Sequence, residues 1–313
     1  MKISFLGNFS QSHCTEVDYK KTFEDLGHTV VPLQEGQATG AECIAAGVAS
    51  DLFCWVNTHG WSTPGSIPME EVLSIFRARK ILSFGMHLDR YWGLELGDGR
   101  EGRIGTTAWW KMDHIFTADG GNDEKFKARG VKHHWLPPAV LKASCYAGHV
   151  REEKICDVAW VGAKGYHPEY PFREQLVTWL EKEASRRWKV RLWGPEPYGG
   201  VRGSALNDIY ASAKIVVGDS CFAGAPRYWS DRIPETQGRR GFLLHPFSVG
   251  MKMPLKTYEA RNLDSLAATI EYWLKPEMDE HRKEMAQGAF DWTRTCDTYH
   301  NRVAEMFSVM GLE

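Results

Sequence analysis

The chain lacks any apolar run approaching the ~20 residues that a membrane-spanning helix requires, so no membrane insertion is expected. It also lacks an excess of either charge: 38 Lys and Arg stand against 40 Asp and Glu, a formal net charge of −2. Whole-protein steering toward nucleic acid needs a substantial surplus of one sign, which leaves only local basic patches for such a role. No C-x-x-C pair occurs, and the seven cysteines, Cys14, Cys43, Cys54, Cys145, Cys156, Cys221 and Cys296, are odd in number and scattered. They read as free thiols, neither disulfides nor a zinc site. The phosphate loop G-x-x-x-x-G-K-[ST] is missing, which excludes a P-loop nucleotidase. His59-Gly60-Trp61-Ser62-Thr63-Pro64-Gly65 looks like a serine loop but fails the G-x-S-x-G spacing of a nucleophile elbow. There is no Asp-x-Asp and no His or Asp set with ligand spacing, so neither a metal nor a resident cofactor is expected. The opening MKISFLGNF has none of the parts of a secretory leader and reads at once as a buried strand, which points to a cytoplasmic protein.

What is present is the composition of a globular enzyme, 43% hydrophobic and 25% charged. A chain of 313 residues is long for one core, and about two domains are expected. Thirteen tryptophans exceed what packing asks for; most belong in cores, but flat rings also stack on sugar faces. Short apolar runs bounded by turn residues predict strands at Lys2–Leu6, Thr29–Leu33, Asp51–Val56, Lys80–Phe84, His114–Ala118 and His134–Leu136. Helical spacing lies between some of them, at Thr15–Leu26, Met69–Arg77 and Asp123–Ala128. Pro137-Pro138 closes this series, and a polar stretch to about Lys154 reads as a linker.

The pattern then restarts. Strands are predicted at Asp157–Val161, Lys189–Trp193, Lys214–Val217 and Gly241–His245, and helices at Phe172–Ser185, Leu206–Ser212 and Arg232–Gly238. Leu263–Lys275, Asp279–Ala289 and Thr298–Met310 close the chain as helices. Such alternation implies parallel sheets covered by helices. The expected fold class is therefore α/β, two Rossmann-like domains facing each other across a cleft, over residues 1–145 and 146–297. A helix over 298–313 is expected to pack back toward the first domain. In open parallel sheets ligands sit at the carboxyl ends of the strands, which directs attention to the loops after Leu6, Phe84, Val161, Trp193 and Val217.

Asp231-Arg232-Ile233-Pro234-Glu235-Thr236-Gln237-Gly238-Arg239-Arg240 precedes one of these strands. Arg232 and Glu235, one helical turn apart on a shared face, would offer a cation to a phosphate oxygen and a carboxylate to sugar hydroxyls; the structural alternative is an intrahelical ion pair. Pro234 is expected to interrupt the helical hydrogen-bond ladder. Gly162, Lys164 and His167 lie in the loop ahead of the helix whose first turn holds Arg173, and such helix termini favour anions. Lys164 and Arg173 are thus candidate phosphate ligands, and Trp193, beside Gly194, a candidate base shelf. Gly7 and Asn8 end the first strand, where a missing side chain allows close approach to a ligand.

Taken in order, Val161-Gly162-Ala163, Phe172-Arg173, Arg191-Leu192-Trp193-Gly194-Pro195, Ile209-Tyr210-Ala211-Ser212-Ala213-Lys214 and Arg232-Ile233-Pro234-Glu235 resemble the C-terminal half of CgeB-like glycosyltransferases. The arrangement is also similar to phage DNA β-glucosyltransferase. The resemblance covers about Asp157 to Asn301 and implies the two-Rossmann GT-B fold. It further implies metal-independent transfer of a sugar from a nucleotide sugar, with UDP as the carrier, to a hydroxyl acceptor. That acceptor could be a hydroxymethylated DNA base or a carbohydrate, and a phage origin would place the protein in the host cytoplasm. Donor-binding residues are then Gly7, Asn8, Gly162, Lys164, Arg173, Trp193, Arg232 and Glu235. Asp89, in Phe84-Gly85-Met86-His87-Leu88-Asp89-Arg90, resembles the phage enzyme's catalytic aspartate in position and is the candidate base. His13, Glu16, His59 and Asp119 are reserves. The competing reading is a non-catalytic nucleotide-sugar or nucleic-acid binder on the same scaffold, suggested by Arg186-Arg187-Trp188-Lys189 and Arg227-Tyr228-Trp229.

Overall fold

The computed structural model describes residues 1–12, 14–56, 63–93, 100–165, 170–194 and 197–312. It divides into two compact units, Met1–Pro137 with Tyr299–Glu313, and Pro138–Thr298. The division falls between the two prolines, and the polar stretch read as a linker belongs to the second unit.

In chain order the first unit contains β1 (Lys2–Gly7), α1 (Thr15–Asp25), β2 (Thr29–Gln34), α2 (Gly40–Val48), β3 (Leu52–Val56) and α3 (Met69–Ala78). It continues with β4 (Leu82–His87), α4 (Arg100–Arg103), β5 (His114–Thr117), α5 (Asp123–Lys127) and β6 (His133–Trp135). The second unit contains β7 (Cys156–Val161), α6 (Phe172–Lys182), β8 (Val190–Trp193), α7 (Ser204–Ser212), β9 (Ala213–Val217) and α8 (Arg232–Gln237). Then come β10 (Leu243–Pro246), β11 (Lys256–Tyr258), α9 (Leu263–Trp273) and α10 (Asp279–Cys296), before α11 (Tyr299–Met310) returns to the first unit.

Both sheets are parallel throughout, in the orders β2-β1-β3-β4-β5-β6 and β11-β10-β9-β7-β8. In each, the unit's first strand lies between its second and third. The strand order therefore reverses between β1 and β3 and again between β7 and β9, and such a reversal leaves a crevice at the carboxyl ends. The strands read as apolar runs because helices cover both faces: Phe5, Phe53, Phe84 and Ile115 are fully buried in the first sheet, and Val158, Trp160, Ile215 and Leu244 in the second.

Three elements have no counterpart in the sequence reading, the single-turn α4 and two others. The first is α2, which opens with a capping box: Glu42 N–H donates to Thr39 Oγ1 at 3.2 Å, and Thr39 N–H donates to the Glu42 carboxylate at 2.7 Å. The second is the short edge strand β11. The closing helix α11 buries Tyr299, Val303, Met306 and Phe307, one apolar stripe at helical spacing, against α1. Tyr299 meets Tyr19 at 4.6 Å between ring centroids, and Phe307 stacks on Phe23 at 6.0 Å.

Candidate functional site

The reversal in the second sheet gathers side chains from four segments. β7 ends at Val161, and Gly162 follows with a φ of +142°, a conformation that favours glycine. A Cβ at Gly162 would lie 2.2 Å from Arg232 Nη2. The absent side chain is thus what lets the arginine lie against the strand end. Arg232 opens α8, and its Nε donates to Val161 O at 3.3 Å while its Nη1 donates to Ser230 Oγ at 3.3 Å. The guanidinium also lies 5.2 Å from the Trp160 ring, within cation–π reach.

After β9 the chain passes through Gly218 to Asp219, which is fully buried. Arg173, in the first turn of α6, is buried as well and donates from Nε to Asp219 Oδ2 at 2.9 Å. Arg232 Nη1 lies 3.5 Å from the other carboxylate oxygen, close enough for charge attraction but not placed for a hydrogen bond. Burial works against the Arg173 charge, but Asp219 and the Cys221 thiol more than offset it, so its pKa moves up. One carboxylate between two guanidiniums leaves the group with a net positive charge. Beside it, Ser220 Oγ and the Tyr170 hydroxyl are buried without a protein partner. The arrangement can hold an anion by charge and by neutral donors together.

Glu235, one helical turn after Arg232 in α8, takes a partner of its own. Its carboxylate accepts from Arg239 Nη1 at 2.6 Å, and Arg239 also donates to the Glu235 carbonyl at 2.8 Å. A glutamate four residues before an arginine is the favoured helical pairing, while Arg232 is drawn to the buried Asp219. Pro234 does not interrupt α8, because it occupies the first turn, where its missing N–H has no intrahelical acceptor. Lys164 is paired with Glu181 at 3.4 Å. The Trp193 side chain lines a groove of about 520 Å³ along the edge strand β8, with Glu181, Arg191 and Tyr198. The structure therefore brings Gly162, Arg173 and Arg232 together, sets Trp193 along that groove, and pairs Lys164 with one of the groove's lining residues, Glu181. Asp219, Ser220 and Tyr170 were not singled out from the sequence, although the loop after Val217 was.

In the first unit, Gly7 ends β1 with no positive φ; a Cβ there would meet Glu16 Cγ at 2.8 Å. Its vacancy is filled by the protein's own glutamate, whose carboxylate accepts the Asn8 N–H at 3.3 Å. Asn8 Oδ1 in turn accepts from Ser10 Oγ at 2.6 Å. Asp89 follows β4, its carboxylate 3.4 Å from Arg100 Nη1 and its N–H donating to His87 Nδ1 at 3.1 Å. Asp119 organises a loop: it accepts from the N–H groups of Tyr91 and Trp92 at 2.8 and 2.9 Å and from Thr117 Oγ1 at 2.7 Å. Burial raises its pKa against those bonds. His13, His59 and His167 lie outside the described residues. Among the described residues no group of three His, Cys, Asp or Glu is placed to hold a metal ion, and no helix is long and apolar enough to cross a membrane.

A family model described as glycosyl transferase-like matches residues 173–308, a segment that begins at Arg173 and includes Asp219, Arg232 and Glu235. No curated protein matches the chain significantly. Among solved structures, Anabaena HepE in complex with UDP and glucose is similar over 98% of this chain and 99% of its own, at a TM-score of 0.65 and 11% identity. An Escherichia coli structure of trehalose-6-phosphate bound with UDP-2-fluoro glucose covers all of both chains at a TM-score of 0.63 and 8% identity. A glycosyltransferase from Rickettsia africae covers 98% of this chain and 97% of its own, at 0.62 and 10%. At such identities the likeness establishes the fold, that of GT-B glycosyltransferases with two parallel-sheet Rossmann-like domains.

Proposed function

We propose that the protein transfers a sugar from a UDP-sugar to a hydroxyl-bearing acceptor. The observation that carries this reading is the Arg173–Asp219–Arg232 group at the β7/β9 reversal, inside the segment matched by the glycosyl transferase-like model. Breaking the bond between the anomeric carbon and the diphosphate puts negative charge on the leaving oxygen, and fixed donors there lower the barrier. Arg232 supplies the leading charge. Arg173, anchored by Asp219, adds to the field, and the Ser220 and Tyr170 hydroxyls serve as neutral donors. Gly162 makes room for the Arg232 guanidinium. Glu235, steadied by Arg239, accepts from the ribose hydroxyls, and Trp193 and Lys164 flank the base end.

With guanidiniums in the charge-neutralising role, the transfer is read as metal-independent. The acceptor is a hydroxyl of a carbohydrate or of a hydroxymethylated DNA base, in keeping with the resemblance to CgeB-like enzymes and to phage DNA β-glucosyltransferase. For its proton, Asp89 is the candidate base.

A thermal-shift panel of UDP-, GDP-, ADP- and TDP-sugars tests the donor assignment, with EDTA present and absent. The expected result is stabilisation by UDP-sugars, insensitive to EDTA and lost in Arg232→Ala and Glu235→Ala. Equal shifts in wild type and both variants would remove the assignment.

A further inference from the structure

The edge strand β11 brings one more cation to the carboxyl end of the second sheet. Tyr258, its last residue, donates from its hydroxyl to Gly218 O at 2.8 Å and so ties the strand end to the loop that carries Asp219. The chain then turns through Glu259, Ala260, Arg261 and Asn262, with Asn262 N–H donating to Glu259 O at 3.2 Å, before α9 begins. Arg261 holds a φ of +62° and Ala260 does not share the positive sign, the pattern of a type II turn, whose third position favours glycine.

An arginine in that position is strained, and strain in an ordered turn is a pointer to function. Lys80 and Arg240 have a positive φ too, but each closes a helix, with Ile81 N–H on Phe76 O at 2.9 Å and Gly241 N–H on Thr236 O at 3.0 Å. Arg227, the remaining case, is fixed by its N–H on Val249 O at 2.7 Å. Arg261 closes no helix, and α9 is capped by Asn262, whose Oδ1 accepts from Ser265 N–H at 2.9 Å.

The fold does not engage the Arg261 side chain through charge either. It is exposed and, among the described residues, has no ion pair; Glu259, two residues back, accepts instead from Asn262 Nδ2 at 2.7 Å. Its guanidinium lies 6.0 Å from the Tyr170 ring, the same ring that Arg173 approaches at 5.9 Å. Tyr170 thus stands beside both arginines, and its hydroxyl is buried without a protein partner. The charge count leaves room for a further cation. A diphosphate ester bears a negative charge on each phosphate, whereas Arg173, Asp219 and Arg232 together offer a single net positive charge and Lys164 is paired with Glu181.

We infer that Arg261 is a third guanidinium of the donor site and contacts the diphosphate of the UDP-sugar; this rests on the donor reading proposed above. All the groups involved belong to the second unit. The turn carries an arginine where glycine would be relaxed, and a bound anion is what compensates the strain.

The test measures UDP binding to the full chain by titration calorimetry in wild type, Arg261→Gly and Arg261→Asn, at about 0.05 and 0.5 M NaCl, together with the Tm of each protein without ligand. Glycine and asparagine both accept a positive φ, so neither variant should melt below wild type. Both are expected to raise the Kd for UDP about 10-fold at the lower salt, the scale of one hydrogen bond to a charged group, and by clearly less at the higher salt, where an exposed charge is screened. A Kd within about twofold of wild type in either variant overturns the inference. So does a loss as large at the higher salt as at the lower, which would mean packing on Tyr170 rather than charge. A Tm several degrees below wild type in either variant overturns it as well, since the arginine would then serve the fold. Wild type that binds no UDP removes the donor reading itself, and this inference with it.

Discussion

Replacing Asp219 with asparagine removes one charge from the interior and leaves the shape almost unchanged. Its consequence follows from burial: the Arg173 side chain is 7% exposed, Asp219 is not exposed at all, and they meet at 2.9 Å. Removing one partner of such a pair strands the other charge away from water, a loss of about 3–5 kcal/mol. For a unit of this size each kcal/mol corresponds to about 2–4 °C, so the Tm of the second unit should fall by roughly 6–20 °C. Differential scanning calorimetry on the full chain reads this directly. Because the pair is buried, raising NaCl from about 0.1 M to 1 M should leave the difference largely in place. UDP should restore part of the loss, since its diphosphate supplies the missing negative charge; at about 100 times its Kd, a ligand contributes about 2.7 kcal/mol. A fall of under about 2 °C, less than a single kcal/mol, would refute the claim that this ion pair is a buried structural element.

Other outcomes follow from the same geometry. Gly162→Ala, whose Cβ would sit 2.2 Å from Arg232 Nη2, should displace that arginine and abolish the UDP thermal shift; an unchanged shift would detach Arg232 from donor binding. Glu35 has an ordinary pKa of 4.5 and is pushed up to about 7, so the folded state holds its proton more tightly than the unfolded chain. The resulting stability is fully present below about pH 4.5 and lost as pH rises through 7, a span of about 3 kcal/mol at most. Urea unfolding from pH 4.5 to 8 should show this decline in wild type and a flatter profile in Glu35→Gln; parallel profiles would show that the acid is not perturbed. Thr39→Ala removes the cap of α2 and should cost about 0.5–2 kcal/mol in the first unit, read from the shift in urea midpoint.

Much of the architecture was legible because strand and helix periodicity are local. Met69 to Arg77 repeats apolar residues at helical spacing, and the helix found there spans Met69–Ala78. The segment from Thr39 to Val48 carries a local signal too, since Thr39 and Glu42 stand at the spacing of a capping box, but its small apolar residues give no clear helical stripe. β11 has no such signal: three residues are too few for a period, and their pairing with β10 depends on chain brought from elsewhere.

The candidate site divides along the same line. Gly162, Arg173 and Arg232 were legible because each stands at the edge of an element whose order was plain. The partner each charge takes was not, since Arg173 and Asp219 are 46 residues apart and Arg232 lies 71 from the carbonyl it binds. Glu235 turned to Arg239 because a buried aspartate competes for Arg232 more strongly than a helical neighbour does.

The sequence by itself determined that this protein is α/β, that its pattern of strands and helices runs twice, and which loops close the strands. Those properties arise from burial patterns read a few residues at a time. Only the tertiary structure decided which charges are neutralised and which polar atoms are left without a partner, Glu35 Oε2 and Ser220 Oγ among them. Desolvation and ion pairing depend on atoms that meet through the fold, and no local pattern carries that information.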